Sequence, residues 1–393
     1  MTKIAILCDQ SDTDELGIRL TAEEKGMDLQ LLPFFKTTFT ISNGSYRYRT
    51  LGHDHTNILN DVQVVINRCQ SKSRRLYASA IVESIKKKVI NSQSIEYNCQ
   101  SKLRTLLLFA SAGVLIPKTV YALPNVKEKI TSGGLLDNTE AISEMLNKEF
   151  SNELVLKPDF GTHGKGVTLI NSPRKLKLAL GKIAPSLINP SGVLAQEYIS
   201  KWFFDLRIIV SKEKSKPPFC QRNALARGGF KGFRTNTFLG NMVFQVKLPE
   251  KVIYESVKCA NSITNGENAW VIGLDAMPKV APELIQNEEF LKKQFELLEE
   301  PFSDVTRIKK MSSKKLHFKE YSEAINHAYS QYMNTDAYRY IEETANSILH
   351  SASTKVLFHE GNACPEFWEQ TRAVAGINLA ELLLSSAQSV IDR

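Results

Sequence analysis

Two short apolar runs, Leu154-Val155-Leu156 and Val167-Thr168-Leu169-Ile170, flank the glycine-rich stretch Lys157-Pro158-Asp159-Phe160-Gly161-Thr162-His163-Gly164-Lys165-Gly166. Runs of this length bounded by turn residues predict strand, loop, strand. That order excludes two common nucleotide folds. A Walker loop needs strand–loop–helix and a Gly-Lys-Ser/Thr ending, and a dinucleotide fingerprint also opens a helix. Two readings remain. One is a plain glycine hairpin. The other is a flexible lid whose N–H groups, freed of side chains at Gly161, Gly164 and Gly166, turn towards an anion, with Lys157 at its base. The loop alone does not choose between them.

The chain has 393 residues, enough for two or three domains at roughly 100–200 residues each. In the first third, apolar runs at Ile4–Cys8, Asp28–Leu32, Val62–Asn67 and 89–91 alternate with helical patterns over Thr13–Lys25 and 73–88. That alternation predicts a small α/β domain with a mostly parallel sheet. Tyr46–Arg49 reads as an edge strand. A helix over 101–112, stopped by Gly113, leads to strands at 118–122, 193–199 and 204–211. Residues 219–247 read as antiparallel sheet, 251–263 as helix, 270–276 and 355–359 as strands, and 378–391 as helix. Residues 279–354 lack glycine and carry helical spacing at Tyr321, Ile325, Ala328 and Tyr332, which predicts a helical insertion between two strands.

No run approaches the roughly 20 apolar residues of a membrane span. At the start, Ile4-Ala5-Ile6-Leu7 is soon followed by Asp9, Asp12 and Asp14, unlike a signal peptide. Six scattered cysteines without a CxxC pair fit free thiols in a reducing cytoplasm and no zinc. The net charge is +8. Much of the excess lies between Arg68 and Arg104. That run reads either as solvated helix faces or as a surface for an anionic partner. Aromatic-interleaved basic motifs are missing, which argues against nucleic acid.

Three further clusters follow the loop. Gln196-Glu197-Tyr198-Ile199 ends a strand. Asp205 and Arg207 alternate on the next strand and share a face; Arg222-Asn223 and Arg234-Thr235-Asn236 add cations and amides. Asp275 ends one apolar strand, and Glu360 with Asn362 ends another. Two carboxylates and an amide oxygen are hard ligands of the kind magnesium takes beside phosphates.

In this order the clusters resemble the ATP-grasp superfamily: Lys157-Pro158 with the glycine loop, Gln196–Ile199, Asp205-x-Arg207, Arg234–Asn236, Gly273-x-Asp275, then Glu360-Gly361-Asn362-x-x-Pro365. Within it the chain is similar to RimK-type ligases and to LysX-type ligases acting on amino-group carrier proteins. Val65–Cys69, Cys99–Leu103 and Asn362-x-x-x-Glu366-Phe367 carry the LysX likeness. The resemblance covers about 1–278 and 355–393, leaving 279–354 as an insertion peculiar to this chain or close relatives. It implies an α/β (α+β) ATP-grasp fold with a Rossmann-like pre-grasp domain (1–98), a small subdomain with the glycine loop (99–195) and a C-terminal subdomain (196–393) carrying the helical insertion.

The resemblance also implies roles. Lys102 and Lys157 would contact ATP phosphates under the loop Gly161, Thr162, Gly164 and Gly166. Gln196, Glu197, Tyr198 and Ile199 would lie at the adenine and Asp205 at the ribose. Arg234, Thr235 and Asn236 would lie near the γ-phosphate, and Arg207 and Arg222 would hold the substrate carboxylate or acyl phosphate. Asp275, Glu360 and Asn362 would bind two magnesium ions, or manganese. The implied enzyme is a carboxylate–amine ligase that adds an amino acid, glutamate first, to a carboxylate-bearing acceptor (acidic in the LysX-like case): a carrier protein, peptide tail or cofactor. A homodimer or tetramer is expected. The alternatives are a small-molecule kinase on the same scaffold and a non-catalytic nucleotide-binding scaffold. Deleting 281–352 is expected to spare ATP binding and to alter acceptor use or assembly.

Overall fold

The computed structural model describes residues 4–9, 12–43, 45–124, 128–129, 135–136, 138–150, 153–161, 164–183, 192–235, 240–311, 317–366 and 368–391. Its first sheet is parallel, in the order Leu29–Pro33, Ile4–Cys8, Val64–Asn67, Lys88–Ile90. Ile4–Cys8 and Val64–Asn67 are buried throughout, as continuous apolar runs covered on both faces require. The helix Thr13–Glu24 starts at a capping box between Asp12 and Glu15, which satisfies two otherwise orphaned N–H groups. Ser45–Thr50 is a strand, but not an edge. It is the centre of a separate three-stranded antiparallel sheet between Thr37–Ser42 and His53–Asp54.

The second sheet is antiparallel, in the order Thr168–Ile170, Leu154–Pro158, Val193–Glu197, Thr119–Ala122. The expected hairpin is therefore real, with Leu154 opposite Ile170 and Leu156 opposite Thr168. The period of two divides its residues. Leu154 and Leu156 pack under the helices Thr139–Glu149 and Pro173–Ile183, while Val155 and Lys157 face a cleft.

The third sheet is also antiparallel: Met242–Lys247, Asn223–Gly228, Phe204–Lys212, Trp270–Lys279, Lys355–Asn362, with Phe219–Cys220 paired to Phe204–Lys212. Helices lie against it, among them Lys102–Ser111, Glu250–Thr264 and Leu379–Ser389.

Residues 279–354 do form helices: Glu288–Leu297, Glu299–Met311, Phe318–Met333 and Asp336–His350. They are no surface decoration. Met242–Lys247 ends the sheet order, and its outward backbone groups meet this segment. The Tyr332 hydroxyl donates to the Val243 carbonyl at 2.8 Å. The Gln245 N–H donates to the Tyr338 hydroxyl at 3.0 Å, and the Lys247 N–H to Asn346 Oδ1 at 2.8 Å. An uncovered edge strand invites pairing with other chains; here helices close it. Leu291, Phe295, Tyr321, Tyr329 and Ile341 join the same apolar core as Phe203, Phe204 and Phe244.

Candidate active site

A cleft of about 240 Å³ opens between the second and third sheets and the first domain. Lys157 enters it from the Leu154–Pro158 strand. Lys102 enters as the first residue of its helix, where Asp159 fixes the base of the glycine loop. The Ser101 hydroxyl and the Leu103 N–H each donate to the Asp159 carboxylate at 2.9 Å. Lys102 Nζ donates to the Gly161 carbonyl at 3.1 Å. Gly161, Gly164 and Gly166 all have positive φ (138°, 67° and 76°), the backbone region that favours glycine. Gly161 and Gly164 line the cleft; Gly166 packs beside the Pro158 ring. Thr162 and Asn236 lie outside the described residues.

One end of the cleft is apolar, with Val155, Ile199 and Met277: Val155 lies opposite Gln196, and Lys279, two residues beyond Met277, pairs with Glu197. Gln196, Glu197 and Tyr198 border it. Glu197 Oε1 accepts from the Lys118 N–H at 2.9 Å, and Gln196 Nε2 donates to Thr119 Oγ1 at 2.9 Å.

The floor is a chain of buried charges. Arg207 grips Asp275 with both arms, Nε–Oδ1 at 2.6 Å and Nη2–Oδ2 at 3.1 Å. Arg227 bridges Asp275 (3.1 Å) and Asp205 (2.8 Å). Asp205 also accepts from the Thr235 hydroxyl, and Lys201 Nζ donates to Thr235 Oγ1 at 2.7 Å. Both oxygens of Asp205, expected at a ribose, are thus engaged by protein. Arg234 reaches across to donate to the Gly164 carbonyl at 3.3 Å, joining the loop after Gly228 to the glycine loop.

Charge states follow from burial and neighbours. Burial raises the Asp205 carboxyl, but Arg227 and Lys201 outweigh it and bring it down to about 2. Burial likewise raises Asp275, and Arg207 and Arg227 hold it below its ordinary range. Glu360 is raised by burial and held well below the carboxylate range by Lys72 and Lys102. Burial pushes the Lys102 and Lys201 ammonium groups down, and that of Lys157 down to about 8. Among the described residues the Lys157 ammonium has no hydrogen-bond or ion-pair partner, although the Glu360 and Asp275 charges act on it. A desolvated cation without a partner is costly unless an anion arrives.

Asp275 and Glu360 stand opposite each other in register, next to a bulge between Asp275 and Ala276. Asn362 Nδ2 donates to Asp275 Oδ2 at 3.2 Å, which turns its carbonyl oxygen away from that carboxylate. No group of three or more His, Cys, Asp or Glu gathers among the described residues. The donor set is therefore two carboxylates and an amide oxygen, all hard, beside unpaired lysine charge. That set fits magnesium arriving with a polyphosphate.

One expectation fails. Arg222 lies outside the cleft: its side chain is 73% exposed and pairs with the equally open Glu250 at 2.6 Å. On the Asn223–Gly228 strand, Leu225 and Arg227 face the cleft, and Arg222 precedes the strand at the end away from Arg227. Arg227, in phase with Asn223 and Leu225, takes the inward place; that alternation was the missed signal. The basic run 68–104 divides: Arg68, Lys72, Arg75 and Lys102 are buried, whereas Arg74, Lys86 and Lys88 are exposed. Arg68 pairs with Asp14 (2.7 Å) and Glu15 (3.2 Å), Arg75 with Glu96 (3.0 Å) and Lys72 with Glu360 (2.9 Å). Lys102 binds loop carbonyls. Lys72, Lys201 and His359 also line the cleft and were not singled out from the sequence.

The LysX preATP-grasp domain model matches residues 4–96, and the RimK-like ATP-grasp domain model matches residues 99–286. The chain belongs to the ATP-grasp superfamily. It is an RimK/LysX-type enzyme, an ATP-dependent ligase joining a carboxylate to an amine. Among similar proteins is the α-aminoadipate–LysW ligase LysX of Sulfurisphaera tokodaii, 26% identical over 267 residues, 68% of this chain and 85% of that one. The glutamate–LysW ligase ArgX of Sulfolobus acidocaldarius is 28% identical over 228 residues, 57% of this chain and 72% of that one. In fold, this ATP-grasp chain is similar to the RiPP-associated ATP-grasp ligase of Chryseobacterium gregarium in complex with ADP and a leader and core peptide. That likeness has a TM-score of 0.56 at 13% identity and covers 100% of this chain and 98% of that one. The ATP-grasp ligase PsnB complexed with a minimal precursor gives a TM-score of 0.54 at 12% identity, over 98% and 99% of the two chains. Those spans take in residues 279–354, which the sequence alone set apart as peculiar to this chain or close relatives. No helix among the described residues is long and apolar enough to cross a membrane.

Proposed function

We propose that this ligase adds an amino acid, glutamate first, to a carboxylate-bearing protein or peptide acceptor through an acyl phosphate. The observation that carries this reading is the meeting in one cleft of Lys102, Lys157 and the glycine loop with Asp275, Glu360 and Asn362. The relatives named for α-aminoadipate and glutamate support an amino acid as one partner, and LysW in both names supports a protein as the other.

In this reading the apolar end takes the adenine, and Lys102 and Lys157 neutralise the polyphosphate. Magnesium, held by Asp275, Glu360 and Asn362, would neutralise the phosphate oxygens further when bound. The acceptor carboxylate attacks the γ-phosphorus; the bond to ADP breaks and an acyl phosphate forms. The amine then attacks the acyl carbon, phosphate leaves with the bonding pair, and the amine gives up its proton as the amide forms. No protein nucleophile is needed. The protein supplies fixed charge and excludes water, which would otherwise hydrolyse the acyl phosphate. The glycine loop and Arg234 are placed to cover that step.

The test is a mass-spectrometric screen of amino acids against acidic proteins and peptides with ATP and magnesium. One acceptor should gain one amino-acid residue, with ADP released in step. ADP release that is indifferent to any amine, with an acceptor gaining phosphate, would favour the kinase reading instead.

A further inference from the structure

We propose that Lys72 is an exchangeable counter-ion for Glu360, neutralising that carboxylate until magnesium takes its place and then facing the acceptor's anion. The inference rests on the reading of Glu360 as a metal ligand.

Lys72 Nζ lies 2.9 Å from Glu360 Oε1 and 3.1 Å from the Cys99 carbonyl. The two side chains are only 10% and 18% exposed. A nearly buried carboxylate cannot stand unpaired, so something must neutralise Glu360 before metal arrives.

The manner of pairing sets Glu360 apart from the other cleft acids. Asp275 is gripped by the forks of Arg207 and Arg227 and by Asn362. Asp205 is held by Arg227 and Thr235. Those partners all belong to the third sheet or the loop following Asn223–Gly228. Lys102 and Lys157 act on Glu360 without bonding it; among the described residues its one hydrogen-bonded partner is an ammonium on a four-carbon stem, carried by the first turn of the first-domain helix Lys72–Ser84. A guanidinium fork holds a carboxylate in fixed geometry; an ammonium is a point charge with rotatable donors. Glu360 is therefore the acid whose partner can leave without breaking the floor.

A divalent ion on Glu360 would repel the Lys72 ammonium. Lys72 would keep its bond to the Cys99 carbonyl and lose its ionic partner. It lines the cleft on the side of Gln70, Arg75 and Cys364, away from the apolar end. The charge released there would meet the carboxylate being activated.

Mn²⁺ binding, read by electron paramagnetic resonance on the full chain without nucleotide, tests this. Lys72→Gln, which can still hydrogen-bond the Cys99 carbonyl, should bind Mn²⁺ about tenfold more tightly than wild type, since one competing charge is gone. Lys72→Arg, which keeps the charge and pairs bidentately, should bind it more weakly. The second variant carries the test if the first does not fold. Unchanged Mn²⁺ affinity in a folded variant overturns the exchange. Glu360→Gln separates the two levels: it should lose Mn²⁺ binding. Wild-type affinity in Glu360→Gln would instead overturn Glu360 as a ligand, and the exchange with it.

Discussion

Arg207 and Asp275 stand directly opposite each other on neighbouring antiparallel strands, and the guanidinium holds both carboxylate oxygens. The register fixes the pair, and burial makes it matter. Surface pairs are worth little, but breaking a buried one leaves an uncompensated charge. The same Asp275 is a proposed magnesium ligand, so one side chain serves the fold and the site.

Asp275→Asn should therefore fail twice. It leaves Arg207 and Arg227 short of their acid, costing about 3–5 kcal/mol of stability. It should also lower the rate of ADP release by about a hundredfold or more. Thermal melts and amine-dependent ADP release read the two separately. Normal turnover in a folded Asp275→Asn protein would remove Asp275 from the metal site.

Lys157 makes nucleotide binding depend on pH. Burial brings its ammonium down to about 8, below the ordinary lysine range. Between those values the unfolded chain holds more protons than the folded one, so this group's contribution to stability rises with pH across that window. Binding runs the other way. A polyphosphate favours the charged lysine, so affinity should fall as pH rises through about 8, and binding near that pH should take up protons. Calorimetry in buffers of different ionisation enthalpy measures the uptake. Lys157→Arg, charged throughout, should flatten the profile; an equally steep fall in that variant would assign the titration elsewhere.

The helical segment should be indispensable to folding. Tyr332, Tyr338 and Asn346 close the Met242–Lys247 edge, and the segment's apolar side chains complete the core. Deleting 281–352 should give insoluble or unfolded protein, contrary to the sequence-based expectation of intact ATP binding. Tyr332→Phe alone should cost about 1 kcal/mol, since it leaves the buried Val243 carbonyl without its donor. Circular dichroism and melting curves decide both; a folded deletion that binds ATP would restore the idea of an independent insertion.

Local pattern made much of this legible. The hairpin around the glycine loop and the strands carrying Asp275 and Glu360 needed only short apolar runs and turn residues, although both strands run on past these acids, to Lys279 and Asn362. What could not be read was partnership across the chain. Arg68, Lys72 and Arg75 looked like surface charge because Asp14, Glu15, Glu96 and Glu360, which neutralise them, lie elsewhere in sequence. Arg222 and Arg227 differ only in which end and face of one strand they occupy. Tyr321, Ile325, Ala328 and Tyr332 announced a helix. The strand edge that their segment covers appears only once the sheet order is known.

Gly17 offers a test of the wall that follows Asn362. Residues 363–366 and 368–370 follow the strand Lys355–Asn362, and Cys364, Glu366 and Gln370 among them line the cleft. The Trp368 ring lies on Gly17, where an added Cβ would come within 2.1 Å of it. The Trp368 N–H donates to Asp14 at 2.8 Å, and Arg68 donates to the Pro365 carbonyl at 3.2 Å. The Arg372 guanidinium lies over the same ring, 4.3 Å from its centre. Gly17 sits inside the helix Thr13–Glu24, where helix propensity alone would make alanine stabilising by about 1 kcal/mol. The clash has the opposite sign and should win, costing about 1–3 kcal/mol. If the acceptor enters on the side of this wall, as proposed, Gly17→Ala should raise the acceptor KM and leave the ATP KM nearly unchanged. Trp368→Phe in the same chain should recover part of both losses by vacating the space. A Gly17→Ala protein that melts higher than wild type with unchanged acceptor KM would mean that this wall does not depend on its seat against the first domain.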